Sequence, residues 1–178
     1  FSRCNAIPTA DPNENRRLWG QIIGAVVMFV VGVLDDRYDL PPWAQYSGYA
    51  LAAAIAVGAL IILERFNNPL ANTLVVLPAL LYIPLTLFWM TGMIVTVNWL
   101  DGLDGLVAGV AAILTAVLSI HMFRSEQYSV IPQALALFGA SLGFLVYNIA
   151  PARVFMGSNG AFMMGYLLGA LGLIAGGR

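Results

Sequence analysis

Long uncharged apolar stretches constrain the fold of this chain more than any other feature. Six follow one another, at residues 18–34, 43–63, 74–97, 106–123, 130–150 and 161–176. A helix needs roughly 20 apolar residues to cross the hydrocarbon core of a bilayer. With 60% hydrophobic and only 10% charged residues, a water-soluble fold of this size has no way to bury so many apolar side chains. The sequence predicts an all-α, polytopic membrane helical bundle with about six transmembrane helices.

The organisation along the chain is simple. Residues 1–17 are predicted to be a non-membrane N-terminal segment, and residues 18–178 a single transmembrane domain. The chain starts at Phe1 and ends within an apolar region, so we expect a fragment of a longer protein. The single Cys4 excludes an internal disulfide framework. The net charge of −1, without a basic tract, argues against nucleic-acid binding.

Acidic side chains collect on one predicted membrane face. Because successive helices alternate in direction, segments 35–42, 98–105 and 151–160 share that face. It carries five of the nine carboxylates, Asp35, Asp36, Asp39, Asp101 and Asp104, against two cations, Arg37 and Arg153. Clustered carboxylates repel one another, and hard oxygen ligands select Mg²⁺, Mn²⁺ or Ca²⁺. Mg²⁺ is typically held by one or two carboxylates plus substrate phosphates. This face is therefore predicted to bind a phosphorylated substrate through a divalent cation.

The first motif, Leu-Asp-Asp-Arg-Tyr-Asp, closes the first span. Carboxylates are unfavourable beside a helix C-terminus, where the helix dipole is negative. Asp35 and Asp36 are therefore predicted to have a functional role. Asp39 is predicted to be the N-cap of the next helix, because Pro41 and Pro42 follow it.

The second motif, Asn-Trp-Leu-Asp-Gly-Leu-Asp-Gly-Leu, begins at Asn98. Its Asn98, Asp101 and Asp104 are spaced to share one side of a helix. Gly102 and Gly105 permit a ligand to approach the backbone closely, or break the helix. A plain polar turn is the alternative, because Asp-Gly is a common turn dipeptide. The doubled Asp-Gly after Asn favours function.

The third motif, at residues 148–160, is open to two interpretations. It is an ordinary loop with Ser158 or Asn159 as the N-cap of the last helix, or an anion site at a helix N-terminus beside Arg153.

These three motifs, in this order and with these spans between them, resemble the polyprenyl-phosphate N-acetylhexosamine-1-phosphate transferases. The bacterial undecaprenyl-phosphate branch looks most similar, and the phospho-MurNAc-pentapeptide translocase is a more distant relative. The likeness covers nearly the whole chain. It implies transfer of a sugar-1-phosphate from a UDP-amino sugar to a polyprenyl phosphate in the plasma (inner) membrane, with release of UMP, for cell-envelope polysaccharide synthesis. A homodimer is a further expectation.

The resemblance also implies roles for individual residues. Asp35 and Asp36 would be the catalytic pair, and Asn98 an oxygen ligand to Mg²⁺, with Mn²⁺ as the alternative ion. Residues expected to bind substrate are Asp101, Asp104, Gly102, Gly105, Asn148, Arg153 and Phe155. The family places these loops in the cytoplasm, and we expect that orientation here, although the excess of arginine on the opposite face favours the reverse.

The chain departs from the family pattern at Ser158, where the family has an aspartate metal ligand. A hydroxyl is a weaker Mg²⁺ ligand than a carboxylate, and Val95 replaces a second asparagine. The family's early helices and a late histidine-containing loop are also missing from the sequence. We therefore expect the fragment by itself to be inactive. The alternatives are a catalytically impaired pseudoenzyme or scaffold, and a divalent-cation transporter module. Transport would favour ionisable residues inside the spans, which contain only His121.

Overall fold

A computed structural model describes residues 13–62, 65–68, 73–76 and 78–176. These residues form α1 (Glu14–Tyr38), α2 (Pro42–Gly58), β1 (Arg65–Asn68), β2 (Thr73–Val76), α3 (Ala79–Leu100), α4 (Leu106–Arg124), α5 (Ile131–Asn148) and α6 (Gly157–Gly176). All of these helices except α2 are long and apolar enough to cross a membrane. Helix α2 has 17 residues, which rise about 25 Å. The prediction of a polytopic helical membrane bundle is confirmed.

One small hairpin was not predicted. Strands β1 and β2 pair antiparallel between α2 and α3, with Arg65 opposite Val76 and Asn68 opposite Thr73. The third span was predicted to start at residue 74, but α3 starts at Ala79, and Pro78 is its N-cap. The residue before a proline is disfavoured in a helix, and β-branched residues favour strands. Both effects move the start of the helix beyond Pro78.

Helix α6 lies at the centre of the bundle, where it packs against α1, α3 and α4. In the apolar membrane-spanning part of α6, 61% is buried inside the protein, compared with 22–39% in the other four helices that are long enough to cross a membrane. Helix α5 packs on α4, and α2 packs on both α1 and α3. Polar contacts reinforce two of these interfaces. The Trp89 indole N–H donates to the Gly169 carbonyl at 3.2 Å, and the Tyr166 hydroxyl donates to the Gly20 carbonyl at 2.9 Å.

At the end of the bundle where α1 begins, an arginine side chain joins α1 to the last carbonyl of α2. Arg16 donates to the Gly58 carbonyl from Nε at 3.1 Å and from Nη2 at 2.7 Å. Helix α1 begins at Glu14, so the predicted domain boundary between residues 17 and 18 falls inside it. Residues 1–12 of the predicted N-terminal segment lie outside the described residues. The α1–α2, α3–α4 and α5–α6 connections lie at the other end, which we call the acidic end.

Candidate active site

Asp35 and Asp36 lie in the last turn of α1 and not in a loop, because the helix continues to Tyr38. Asp35 is 9% exposed. Its Oδ1 accepts a hydrogen bond from Nε2 of Gln45 in α2 at 2.7 Å. The prediction for Asp39 is wrong: it is the C-cap of α1, with φ 48°, and Pro41 is the N-cap of α2.

The neighbouring carboxylate of Asp36 caps the N-terminus of α6. Its Oδ1 accepts the backbone N–H of Ser158 at 2.8 Å, and its Oδ2 accepts that of Asn159 at 3.2 Å. Both donors lie in the first turn of α6, so the interpretation in which Ser158 or Asn159 is itself the N-cap is wrong. A carboxylate is favourable at this position because the first N–H groups of a helix have no partners within the helix.

Gly32 allows α1 to come close enough for this contact. A Cβ at this position would lie 2.6 Å from the backbone nitrogen of Asn159 and 2.8 Å from the carbonyl carbon of Ser158. Gly32 lies one helical turn before Asp36. The absence of a side chain at Gly32 therefore places the Asp36 carboxylate against the end of α6.

The second motif brings another carboxylate to the same helix end. Helix α3 ends at Leu100, with the half-buried Asn98 in its last turn and Asp101 as its C-cap. The spacing had predicted that Asn98, Asp101 and Asp104 share one face of a continuous helix. This prediction is wrong, because α3 ends at Leu100. Burial raises the pKa of the Asp101 carboxyl; the Gly157 N–H bonded to it acts in the opposite direction, and the negative charge of Asp36 raises the pKa further. Two carboxylates thus share the N-terminus of α6.

The remaining predicted substrate-binding residues lie where the second motif meets the third. Asp104 Oδ2 accepts the backbone N–H of Ala152 at 3.0 Å. Buried Asn148 accepts the Gly105 N–H at 2.9 Å and donates to the Val154 carbonyl, also at 2.9 Å. The Asn148 side chain thus holds the two loops together.

Three other predicted substrate-binding residues face solvent or lipid. Phe155 is 71% exposed, and Arg153 and Gly102 are exposed as well. The backbone N–H of Arg153 donates to the Tyr147 carbonyl at 2.9 Å.

Gln45 is a site residue that the sequence analysis missed. Its signal was present in the sequence: it is one amide inside an apolar stretch, and polar groups within membrane spans are costly and so tend to be functional.

The carboxylate oxygens at the acidic end suit a divalent cation that also binds the phosphates of a substrate. The described residues contain no group of three or more His, Cys, Asp or Glu side chains that could hold a metal ion. Asp36 and Asp101 nevertheless supply the one or two carboxylates that Mg²⁺ takes when phosphates provide further ligands. Burial, and after it the nearby charge of Asp36, raise the pKa of the Asp101 carboxyl, and a cation beside the two carboxylates would favour their ionised forms.

The fold and the acidic end together define the class of protein: a multi-pass membrane protein in which carboxylates converge at one end of the helical bundle. Comparisons make the relationship specific, because residues 18–176 match the family described as glycosyl transferase family 4. The chain belongs to this family, as its motifs predicted.

Similar proteins include a probable undecaprenyl-phosphate N-acetylglucosaminyl 1-phosphate transferase of Bacillus subtilis, 30% identical over 89% of this chain and 44% of the relative. A phospho-N-acetylmuramoyl-pentapeptide-transferase of Enterococcus hirae is 32% identical over 91% and 42%. A decaprenyl-phosphate N-acetylglucosaminephosphotransferase of Mycolicibacterium smegmatis is 33% identical over 88% and 40%. The chain thus spans about two fifths of the length of these relatives.

Proposed function

We propose that the whole protein transfers N-acetylhexosamine-1-phosphate from a UDP-sugar to a polyprenyl phosphate, for cell-envelope polysaccharide synthesis. The supporting observation is the convergence of Asp36 and Asp101, 65 residues apart in sequence, on the N-terminus of α6. Membership of the family and the names of the relatives support the same reaction. The site would lie at the cytoplasmic surface of the plasma membrane.

In the proposed reaction, an oxygen of the polyprenyl phosphate forms a bond to the β-phosphorus of the UDP-sugar. The bond from that phosphorus to the bridging oxygen breaks, and UMP leaves with the electron pair. Asp35 orients the lipid phosphate and takes its proton, since its Oδ2 accepts no hydrogen bond from the described part of the chain. Asp104 and the loop of Arg153 and Phe155 bind the nucleotide sugar.

Asp36 and Asp101 would hold Mg²⁺ or Mn²⁺, with the Asn98 amide and the Ser158 hydroxyl as neutral oxygen ligands. When bound, the cation neutralises phosphate charge, which is a principal requirement of phosphoryl transfer. Asp36 also keeps the first turn of α6 in position through its two N–H bonds.

The test uses the complete protein in detergent with polyprenyl phosphate and a panel of UDP-sugars, and measures UMP release with and without Mg²⁺. We expect Mg²⁺-dependent release with at least one UDP-N-acetylhexosamine, and a loss of about a hundredfold or more in Asp35→Asn. Asp39→Asn is the matched control, because Asp39 is exposed on the same turn. No release with any sugar, despite correct folding, would refute the proposal and favour a scaffold.

A further inference from the structure

Gln45 is the polar side chain that holds the buried carboxylate of Asp35. It lies in the first turn of α2, and its Nε2 donates both to Asp35 Oδ1 at 2.7 Å and to the Leu40 carbonyl at 3.2 Å. The second bond fixes the amide against the α1–α2 connection. One amide group therefore links the end of α1 to the beginning of α2.

The other end of the same amide is also supported. Gln45 Oε1 accepts the hydroxyl of Tyr49 at 3.4 Å, one helical turn further along α2. Tyr49 is 2% exposed, and its ring packs edge-to-face on Phe162 of α6 with centroids 5.0 Å apart. The Gln45 amide therefore contacts a tyrosine whose ring is held in turn by Phe162 of the central helix.

A buried carboxylate needs hydrogen-bond donors, because an ionised group without them is costly to remove from water. An arginine or lysine would satisfy this need and also neutralise the carboxylate. A glutamine amide restrains one oxygen of Asp35 and leaves the negative charge in place. Asp36 differs, because both of its oxygens accept backbone N–H groups of α6.

We propose that Gln45 is a positioning residue for the transfer reaction. It holds Asp35 by Oδ1 so that Oδ2 faces the lipid phosphate, and Tyr49 keeps the Gln45 amide from rotating. This inference rests on the proposed function, because it concerns the residue that is assigned there to the lipid phosphate. Loss of outer-shell hydrogen bonds at metal sites typically changes activity by about 10- to 100-fold, and we expect an effect of the same order here.

The first test compares kinetic constants in the complete protein. Gln45→Leu and the nearly isosteric Gln45→Glu, which lacks the N–H donor, should both lower kcat by about 10- to 100-fold. The KM for the UDP-sugar should stay unchanged, because Asp35 is assigned to the lipid phosphate. Ser47→Ala is the matched control: Ser47 is exposed on the same helix and, within the described part of the chain, bonds only the Ala44 carbonyl of that helix. A kcat of Gln45→Leu equal to that of Ser47→Ala would overturn the proposal.

A double-mutant cycle separates positioning from a general structural effect. If Gln45 acts through Asp35, Gln45→Leu should have no further effect on kcat in an Asp35→Ala background. Multiplication of the two separate losses would show that Gln45 acts independently, and would overturn the proposal. A melting temperature of Gln45→Leu within the range of the control would exclude unfolding as the cause.

A measurement without turnover keeps this inference distinct from the proposed function. The side-chain amide resonance of Gln45 in ¹⁵N–¹H spectra should shift in Asp35→Ala and stay in place in Ser47→Ala. A wild-type protein without transferase activity would refute the proposed function, whatever the spectra show. An unchanged Gln45 resonance in Asp35→Ala would refute the contact on which this inference depends, whatever the activity.

Discussion

Replacing Gly32 with alanine should separate α1 from the first turn of α6. The added Cβ would lie 2.6 Å and 2.8 Å from backbone atoms of Asn159 and Ser158, and these atoms have no rotamer by which to move away. Carbon atoms pack favourably at about 3.5–4.0 Å, so the two helices must move apart by roughly 1 Å. The Asp36 carboxylate lies one turn further along α1 and moves with it.

The expected change in stability follows from two unfavourable contributions and one favourable contribution. Overpacking of this kind costs about 1–3 kcal/mol, and each weakened hydrogen bond to a carboxylate costs about 1.5–3 kcal/mol. The higher helix propensity of alanine returns about 1 kcal/mol. With two such bonds, we expect a net destabilisation of about 3 kcal/mol or more, which lowers the melting temperature by roughly 6–12 °C in a chain of this size. Transferase activity should fall about a hundredfold, because the catalytic geometry is displaced by about 1 Å.

The assay is thermal unfolding of the full chain in detergent, followed by size-exclusion chromatography. Gly139→Ala in α5 is the matched control, because it has the same helix-propensity gain and its added Cβ meets no atom within 4 Å. If Gly32→Ala melts at the same temperature as Gly139→Ala or higher, the close approach of α1 and α6 is not as described.

Three further substitutions test the acidic end. Ser158→Asp adds a third carboxylate to the N-terminus of α6, so it should tighten Mg²⁺ binding in calorimetry and raise Mg²⁺-dependent UMP release; equal or lower turnover would contradict the role of this position. Burial raises the pKa of Asp101, so its stabilising effect is complete below the usual pKa of about 3.9 and is lost as the pH rises through the higher folded-state pKa. Asp101→Asn should therefore raise the melting temperature at neutral pH and leave it unchanged at low pH; a gain that is independent of pH would refute this explanation. Asn148→Ala removes the bond from the Gly105 N–H and should cost about 1–3 kcal/mol of stability in thermal unfolding, whereas exposed Val146→Ala should cost much less; equal losses would show that the amide does not join the loops.

The helical spans and the loops that share one end were predictable because bilayer thickness sets the length of an apolar helix. Alternation of direction then sorts the connections, and it placed the segments of Asp36, Asp101 and Asp104 on one face. The ends of the helices were less predictable. Asp39 has a residue type that favours N-caps, yet it ends α1 in a left-handed conformation. The preference of aspartate for N-caps had no effect at this position, because α1 continues to Tyr38 and Asp39 follows it directly.

The hydrogen bonds of the site could not be predicted from the sequence, because they join residues from distant segments. Neither Asp36 nor Ser158 identifies the other as its partner, and the contact depends on the missing side chain at Gly32. The Gln45 bond to Asp35 is similar, because it depends on how α2 packs on α1. Motif spacing therefore located the functional segments, and tertiary packing determined which oxygen receives which donor.

The cap that joins α1 to α6 also has a consequence for biosynthesis. Asp36 and the N–H group of Ser158 are separated by 122 positions in the chain. At a translation rate of about 5–20 residues per second, α1 enters the bilayer roughly 6–25 s before its partner exists. During that interval Asp36 lacks the two N–H groups of α6 that it accepts in the folded protein. Helix α6, which is synthesised after α1, thus completes the polar end of the earlier helix.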